Sequence, residues 1–173
     1  DIVHVVWQGK HGDNKAGDTE IFYANSTDFS RVINVTRDVT DDTDPSIVVV
    51  DGTIFIAYYN GVEAVVKTNA GTDVINSSGT EYALTPNNDG EIPDLSLWKT
   101  YDYSNWRVDC AITNSTGFHV VDLDKGESIS NFKNNPKNLD VGAAGISDFS
   151  LDSNQDMAAL SYISNNEVYI ANT

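Results

Sequence analysis

The chain has 173 residues, with 26 acidic and 10 basic side chains and a net charge of −16. So few cations for phosphates to pair with argue against a nucleic acid or an anionic membrane surface as partner, and no apolar run reaches the ~18 residues of a membrane span. A hydrophobic fraction of 40% is enough to build a packed core, so the composition excludes wholesale disorder.

In chain order the pattern is β throughout. Short runs of Val, Ile, Tyr and Phe alternate with clusters of Gly, Asn, Asp and Ser, and nothing holds a 3.6-residue period over helical length. The first unit, residues 1–43, predicts strands over 2–7, 20–24 and 32–36. The second, 44–91, predicts strands over 46–50, 53–59, 62–68 and 73–76, with hairpin signals at Asp51-Gly52 and Asn60-Gly61. The third, 92–145, predicts 94–98, 106–113, 117–122 and 128–132, and the fourth, 146–173, predicts 147–151, 157–163 and 167–171.

These units repeat. Ile92-Pro-Asp-Leu-Ser-Leu97 and Ile146-Ser-Asp-Phe-Ser-Leu151 match at four of six positions, and Asp44-Pro-Ser-Ile-Val-Val-Val50 is a looser copy. A second element recurs as Glu20-Ile-Phe-Tyr-Ala-Asn-Ser26, Glu63-Ala-Val-Val-Lys-Thr-Asn69 and Glu167-Val-Tyr-Ile-Ala-Asn-Thr173. A period of ~45–55 residues with up to four strands is that of propeller blades. The expectation is a single all-β domain, a β-propeller-like array of about four blades, with the first lacking its opening strand and the last its closing one. A fragment of a longer propeller, closure of the partial sheets within one chain, and a homo-oligomer whose subunits complete each other's open blade edges all satisfy that arithmetic.

The segments Ile2-Val-His-Val-Val-Trp7, Asp18-Thr-Glu-Ile-Phe-Tyr-Ala-Asn-Ser-Thr-Asp28 and Asp44-Pro-Ser-Ile-Val-Val-Val-Asp51 resemble the BNR/Asp-box repeats of sialidase-like β-propellers. In that family the box Ser-x-Asp-x-Gly-x-Thr-Trp forms a turn between the third and fourth strands of a blade. Here Ser26-Thr-Asp28-Phe-Ser30-Arg-Val32-Ile33 keeps Ser and Asp but replaces Gly with Ser30 and Thr-Trp with Val32-Ile33. The resemblance implies that a sialidase would carry three arginines on a carboxylate and a Tyr–Glu nucleophile pair. The chain has three arginines, Arg31, Arg37 and Arg107, of which only Arg107 lies near an inner-strand candidate. Asp28 reads as a turn residue, because a short carboxylate there fixes the loop by accepting backbone N–H groups.

The single cysteine, Cys110, shares a strand face with Trp106, Val108 and Ile112 and reads as a small buried hydrophobe. His4, His11 and His119 show no zinc spacing. Clustered carboxylates make calcium the cofactor to consider, with Asp41, Asp42 and Asp44 as one ligand set and the polar insertion from Asp13 to Asp18 as another. The aromatic run Trp98, Tyr101, Tyr103 and Trp106, with Arg107 beside it, is the candidate ligand-binding surface, since sugars stack on aromatic faces. Sequons at Asn25, Asn34, Asn76 and Asn114, and a first residue that is not Met, fit a mature product at an extracellular or cell-surface location. The expected function is a non-catalytic module that binds a glycan or a protein partner. The alternatives are a sialidase-like exo-glycoside hydrolase and a structural envelope or filament component assembling by strand exchange.

Overall fold

A computed structural model describes residues 1–10, 17–69, 76–84, 95–102, 105–114, 117–125, 128, 136–139, 146–153 and 158–172. Among them are fourteen strands and no helix, grouped into four antiparallel sheets in which each strand pairs with its neighbour in sequence. Sheet I is β1 (His4–Lys10), β2 (Thr19–Asn25) and β3 (Ile33–Asn34). Sheet II is β4 (Thr43–Val50), β5 (Thr53–Tyr59), β6 (Ala64–Thr68) and β7 (Tyr82–Ala83). Sheet III is β8 (Leu95–Asp102), β9 (Asn105–Asn114), β10 (Gly117–Asp124) and β11 (Pro136–Leu139). Sheet IV is β12 (Ile146–Ser153), β13 (Ala158–Ser164) and β14 (Glu167–Asn172). The architecture is the all-β, propeller-like array that the repeat predicts.

Two interior strands show why the sheets stack. Every residue of β5 from Ile54 to Tyr58 is buried, and alternation divides them between two cores. Ile54, Ile56 and Tyr58 join Ile21, Tyr23, Val35 and Val65 between sheets I and II. Phe55 and Ala57 join Val50, Ala64, Val66, Val108, Cys110 and Ile112 between sheets II and III. A strand covered on both faces reads as a continuous apolar run, which is what Thr53-Ile-Phe-Ile-Ala-Tyr-Tyr59 is. Burying one such Ile is worth on the order of 1.5–3 kcal/mol, so the sandwiched sheet is the most strongly held element. The face shared by Trp106, Val108, Cys110 and Ile112 lies against the second core, as alternation predicts.

The turns obey local chemistry. Asp51 (φ 48°) and Gly52 (φ 80°) both occupy the left-handed region and join β4 to β5 as a two-residue hairpin. Asn165 (φ 52°) and Asn166 (φ 64°) do the same between β13 and β14. At the β5–β6 turn, Asn60 accepts the N–H groups of Val62 and Glu63 on its side-chain oxygen. Asp28 is the turn residue expected of it: its Oδ1 accepts the Ser30 N–H at 3.0 Å and the Ser30 hydroxyl at 2.5 Å.

Two placements differ from the sequence-based expectation. Among the described residues the last strand of sheet II is Tyr82–Ala83; of the expected 73–76, Asn76 opens a turn onto Ser78 and 73–75 lie outside the described residues. The last strand of sheet III is Pro136–Leu139 rather than 128–132, where Ser128 is not in a strand and 129–132 lie outside the described residues. Outermost strands pair on one side only and are short, so they carry little hydrophobic pattern to find. Trp7 is half-buried and stacks on Phe22 at 5.9 Å on the side of sheet I away from sheet II.

The repeated Glu-containing element falls on β2, at the turn into β6, and on β14. By this sequence repeat β2 takes the place of the third strands β6 and β14, although it is the second strand of its own sheet. β4, β8 and β12 pack side by side as an inner wall, and β1 packs against β4 at its end. On the far side, β14 leaves Val168 and Ile170 largely exposed.

Candidate functional site

The repeated Asp-x-Ser motif marks the opening of each inner strand. Asp44 and Ser46 lie in β4, and Asp148 and Ser150 lie in β12. Ser96 is the second residue of β8, and Asp94, just before it, lies outside the described residues. The serine has a visible task in sheet II: Ser46 Oγ accepts the Leu97 N–H of the neighbouring inner strand at 2.8 Å. Lys99 Nζ adds a second tie across the same wall, donating to the Val49 carbonyl at 3.2 Å. The two described aspartates differ in register: Asp148 pairs with Ile163, whereas Asp44 falls in the irregular step between Thr43 and Ser46.

At Asp44 the chain takes a left-handed turn (φ 55°) before Pro45, a conformation that Asp tolerates better than most residues. Its N–H donates to Gln8 Oε1 at 2.8 Å, which ties sheet I to sheet II, and its Oδ2 accepts the Thr43 hydroxyl at 2.8 Å. The residue is half-buried and Gln8 is exposed, so the mouth presents a carboxylate and a carboxamide to solvent. Such a pair can take hydroxyl groups as acceptor and donor.

The three aspartates of the preceding connector turn different ways. Asp41, exposed, accepts the Thr19 N–H at 2.7 Å, and that hydrogen bond holds its carboxyl below the usual carboxylate range. Asp42 is fully buried, and its backbone N–H donates to the Thr19 carbonyl at 2.8 Å. Neither of its carboxyl oxygens accepts a hydrogen bond. The Thr36 hydroxyl lies against it, but that group's one proton goes to Glu20 at 2.7 Å while its oxygen receives the Ile21 N–H at 2.9 Å. Asp42 can therefore bond to it only by donating, as a neutral acid. Burial, with Asp38, Glu20 and Glu81 adding repulsion, pushes the Asp42 carboxyl up to about 7. Further out along the same seam, Lys67 bridges the Val35 carbonyl at 2.9 Å and Glu81 at 3.1 Å, and Tyr58 donates to Glu81 at 2.6 Å.

The expected calcium ligands are thus dispersed: Asp41 faces Thr19, Asp42 is interior, and Asp44 engages Thr43, while Asp18 is buried and Asp13 lies outside the described residues. Among the described residues no group of three or more His, Cys, Asp or Glu side chains converges to hold a metal ion. In the expected aromatic surface, Trp106 is half-buried with its edge against Phe55 at 6.1 Å, and it packs on the core between sheets II and III. Arg107 pairs with Asp109 at 2.9 Å and approaches Asp122 at 4.0 Å. Backbone register sets Tyr101 opposite Trp106 and Trp98 opposite Asp109, and Tyr103 lies outside the described residues. Three sequons are locally ordered: Asn25, Asn34 and Asn76 each accept a backbone N–H two residues on, and only Asn76 is fully exposed. Asn114 ends β9 opposite Gly117. Burial with Asp109 alongside pushes the Cys110 thiol far up, so it is no nucleophile. Sequence reasoning passed over Glu20, Thr36 and Gln8, which a β-pattern alone cannot distinguish from ordinary outward-facing polar positions.

No protein-family model matches the chain, and no curated protein sequence does. Solved structures do match in fold. The catalytic domain of a GH62 α-L-arabinofuranosidase from Coprinopsis cinerea is similar with a TM-score of 0.52 at 12% identity, over 99% of this chain and 60% of that one. An α-L-arabinofuranosidase of Podospora anserina in complex with cellotriose gives 0.50 at 13%, over 99% and 59%. A GH62 hydrolase in complex with xylotriose gives 0.52 at 13%, over 99% and 61%. The chain thus spans about 60% of the length of these structures. At such identities the likeness is one of fold, and the fold is that of β-propeller glycoside hydrolases. The propeller architecture implied by the Asp-box resemblance holds, though these neighbours are arabinofuranosidase-type hydrolases and not sialidases.

Proposed function

We propose that this chain is a carbohydrate-recognising propeller module, secreted or displayed at a cell surface, that holds neutral glycan at the inner-strand mouth around Asp44 without cleaving it. The observation that carries the reading is the Asp-x-Ser motif placed in both β4 and β12, in a fold whose named neighbours include complexes with cellotriose and xylotriose. A half-buried carboxylate fixed by Thr43, beside the exposed Gln8 amide, suits the vicinal hydroxyls of a sugar.

The non-cleaving part of the proposal rests on chemistry. Glycoside hydrolysis needs one carboxyl that stays protonated near neutral pH and a second that is ionised, both reaching the bond. Asp42 has the first property but is sealed from solvent. The second reading, an exo-acting glycoside hydrolase, is supported by the neighbours' names and by a second motif aspartate, Asp148, in β12. Xylotriose and arabinoxylan fragments titrated into the isotopically labelled chain should shift the amides of Thr43, Asp44 and Gln8, and Asp44→Ala should abolish the shifts. Release of p-nitrophenol from the α-L-arabinofuranoside, lost in Asp44→Asn, would replace the binding reading with the hydrolase.

A further inference from the structure

At the other end of the sheets, sheets I and II part to leave a cleft of about 180 Å³. We infer that this cleft is a second carbohydrate site, sized for one neutral sugar ring; its ligand class rests on the carbohydrate reading above, its location does not. Ile33 and Ile54 form an apolar wall, against which the C–H face of a sugar ring can lie. Asp28 and Arg31 line the same cleft. Both Ser30 hydrogen bonds to Asp28 go to Oδ1, so Oδ2 is the oxygen turned to other donors. The Arg31 backbone N–H is used by the Asp28 carbonyl, while the side chain is exposed at the rim.

A carboxylate acceptor next to a guanidinium donor is complementary to two adjacent hydroxyls, one donating and one accepting. The two charges cancel locally. A neutral ligand suits that balance, whereas an anion would meet the repulsion of a chain carrying −16 overall. The rear of the cleft is held rigid by a hydrogen-bond chain. Asn25 Nδ2 donates to the Tyr23 hydroxyl at 3.1 Å, and the Tyr23 hydroxyl in turn reaches His4 Nδ1 at 2.8 Å. Burial lowers the His4 pKa and so favours its neutral imidazole. Asn25 is fixed further by Thr27, whose N–H and hydroxyl both donate to its Oδ1. A preorganised polar rear and an apolar wall are what a weak sugar site needs, because little side-chain entropy remains to be lost on binding.

The test is a titration of the full chain, observed by amide chemical shifts, with methyl β-D-xylopyranoside, methyl α-L-arabinofuranoside and xylotriose. Saturable shifts at Tyr23, Asn25, Arg31 and Ile54 are expected. Arg31→Ala, an exposed change that circular dichroism should show to be folded, should weaken them at least about tenfold, the effect of losing a hydrogen bond to a charged group. Asp44→Ala should leave them in place. Shifts confined to the Asp44 region, or cleft shifts indifferent to Arg31→Ala, would overturn the second site and leave the module's carbohydrate reading standing. No shift anywhere with any of the three sugars would overturn both.

Discussion

Asp42 is a carboxyl held wholly out of water. Its folded carboxyl, raised to about 7 against 3.8 when unfolded, binds a proton in the native state that the unfolded chain releases between those values. Its contribution is therefore fully present below about pH 4 and is lost as pH rises through 7. The size of that loss is on the order of 2–4 kcal/mol. Asp28 and Asp41 work in the opposite sense: hydrogen bonds depress their carboxyls, so their contribution is present above pH 3.8 and disappears as pH falls through their lower folded values. Urea unfolding should accordingly show maximal stability near pH 4, with a decline from there to about pH 7. Asp42→Asn should flatten that decline and stabilise the chain at pH 8; a wild-type curve that rises from pH 5 to 8 would contradict the assignment. The burial of Asp42 could not be read from Asp41-Asp-Thr-Asp44, where the three carboxylates look alike. Only the meeting of β2, the segment after β3 and the connector to β4 separates them, and that meeting is tertiary.

At the scale of strands and turns, far more was legible. The apolar run of β5, the Asp51-Gly52 hairpin and the one-faced set around Cys110 all follow from period and turn chemistry. The missed outermost strands show the limit: Tyr82–Ala83 pairs through only Val65 and Val66, too short for any alternation to register. Two expectations belong to this scale. Gly52→Ala places a Cβ at φ 80° and should cost about 1 kcal/mol in urea unfolding, with no change in binding. Ser46→Ala removes the acceptor of the Leu97 N–H at a half-buried seam. It should cost about 1–2 kcal/mol and raise the hydrogen-exchange rate of the Leu97 amide above that of its neighbours in β8. Unchanged exchange at Leu97 would mean that the motif's serine does not tie the inner wall.

For the molecule as a whole, sheet II is the keystone, since its two faces contribute to both cores. Ile56→Ala, at a fully buried position, should cost about 2–5 kcal/mol and lower the stability of sheets I and II together rather than of one alone. The charge of −16 adds self-repulsion spread over the turns, so the melting temperature should rise as monovalent salt is increased to about 0.5 M, where the Debye length falls to about 4 Å. Fold was readable at this scale because the repeat carries it. Function was less so: the Asp-x-Ser repeat was visible as a pattern, but that its aspartates open the inner wall follows only from how β4, β8 and β12 pack. The aromatic run around Trp106 drew attention by composition, yet the structure gives Trp106 and Arg107 partners within the sheets.

The central claim is that glycan meets this chain at the mouth of the inner strands, and amide-shift titration with xylotriose tests it most directly. The account predicts saturable shifts at Thr43, Asp44 and Gln8 that vanish in Asp44→Ala while the fold and its melting temperature persist. Shifts at those residues that survive Asp44→Ala, or none with xylotriose or arabinoxylan fragments, would contradict it.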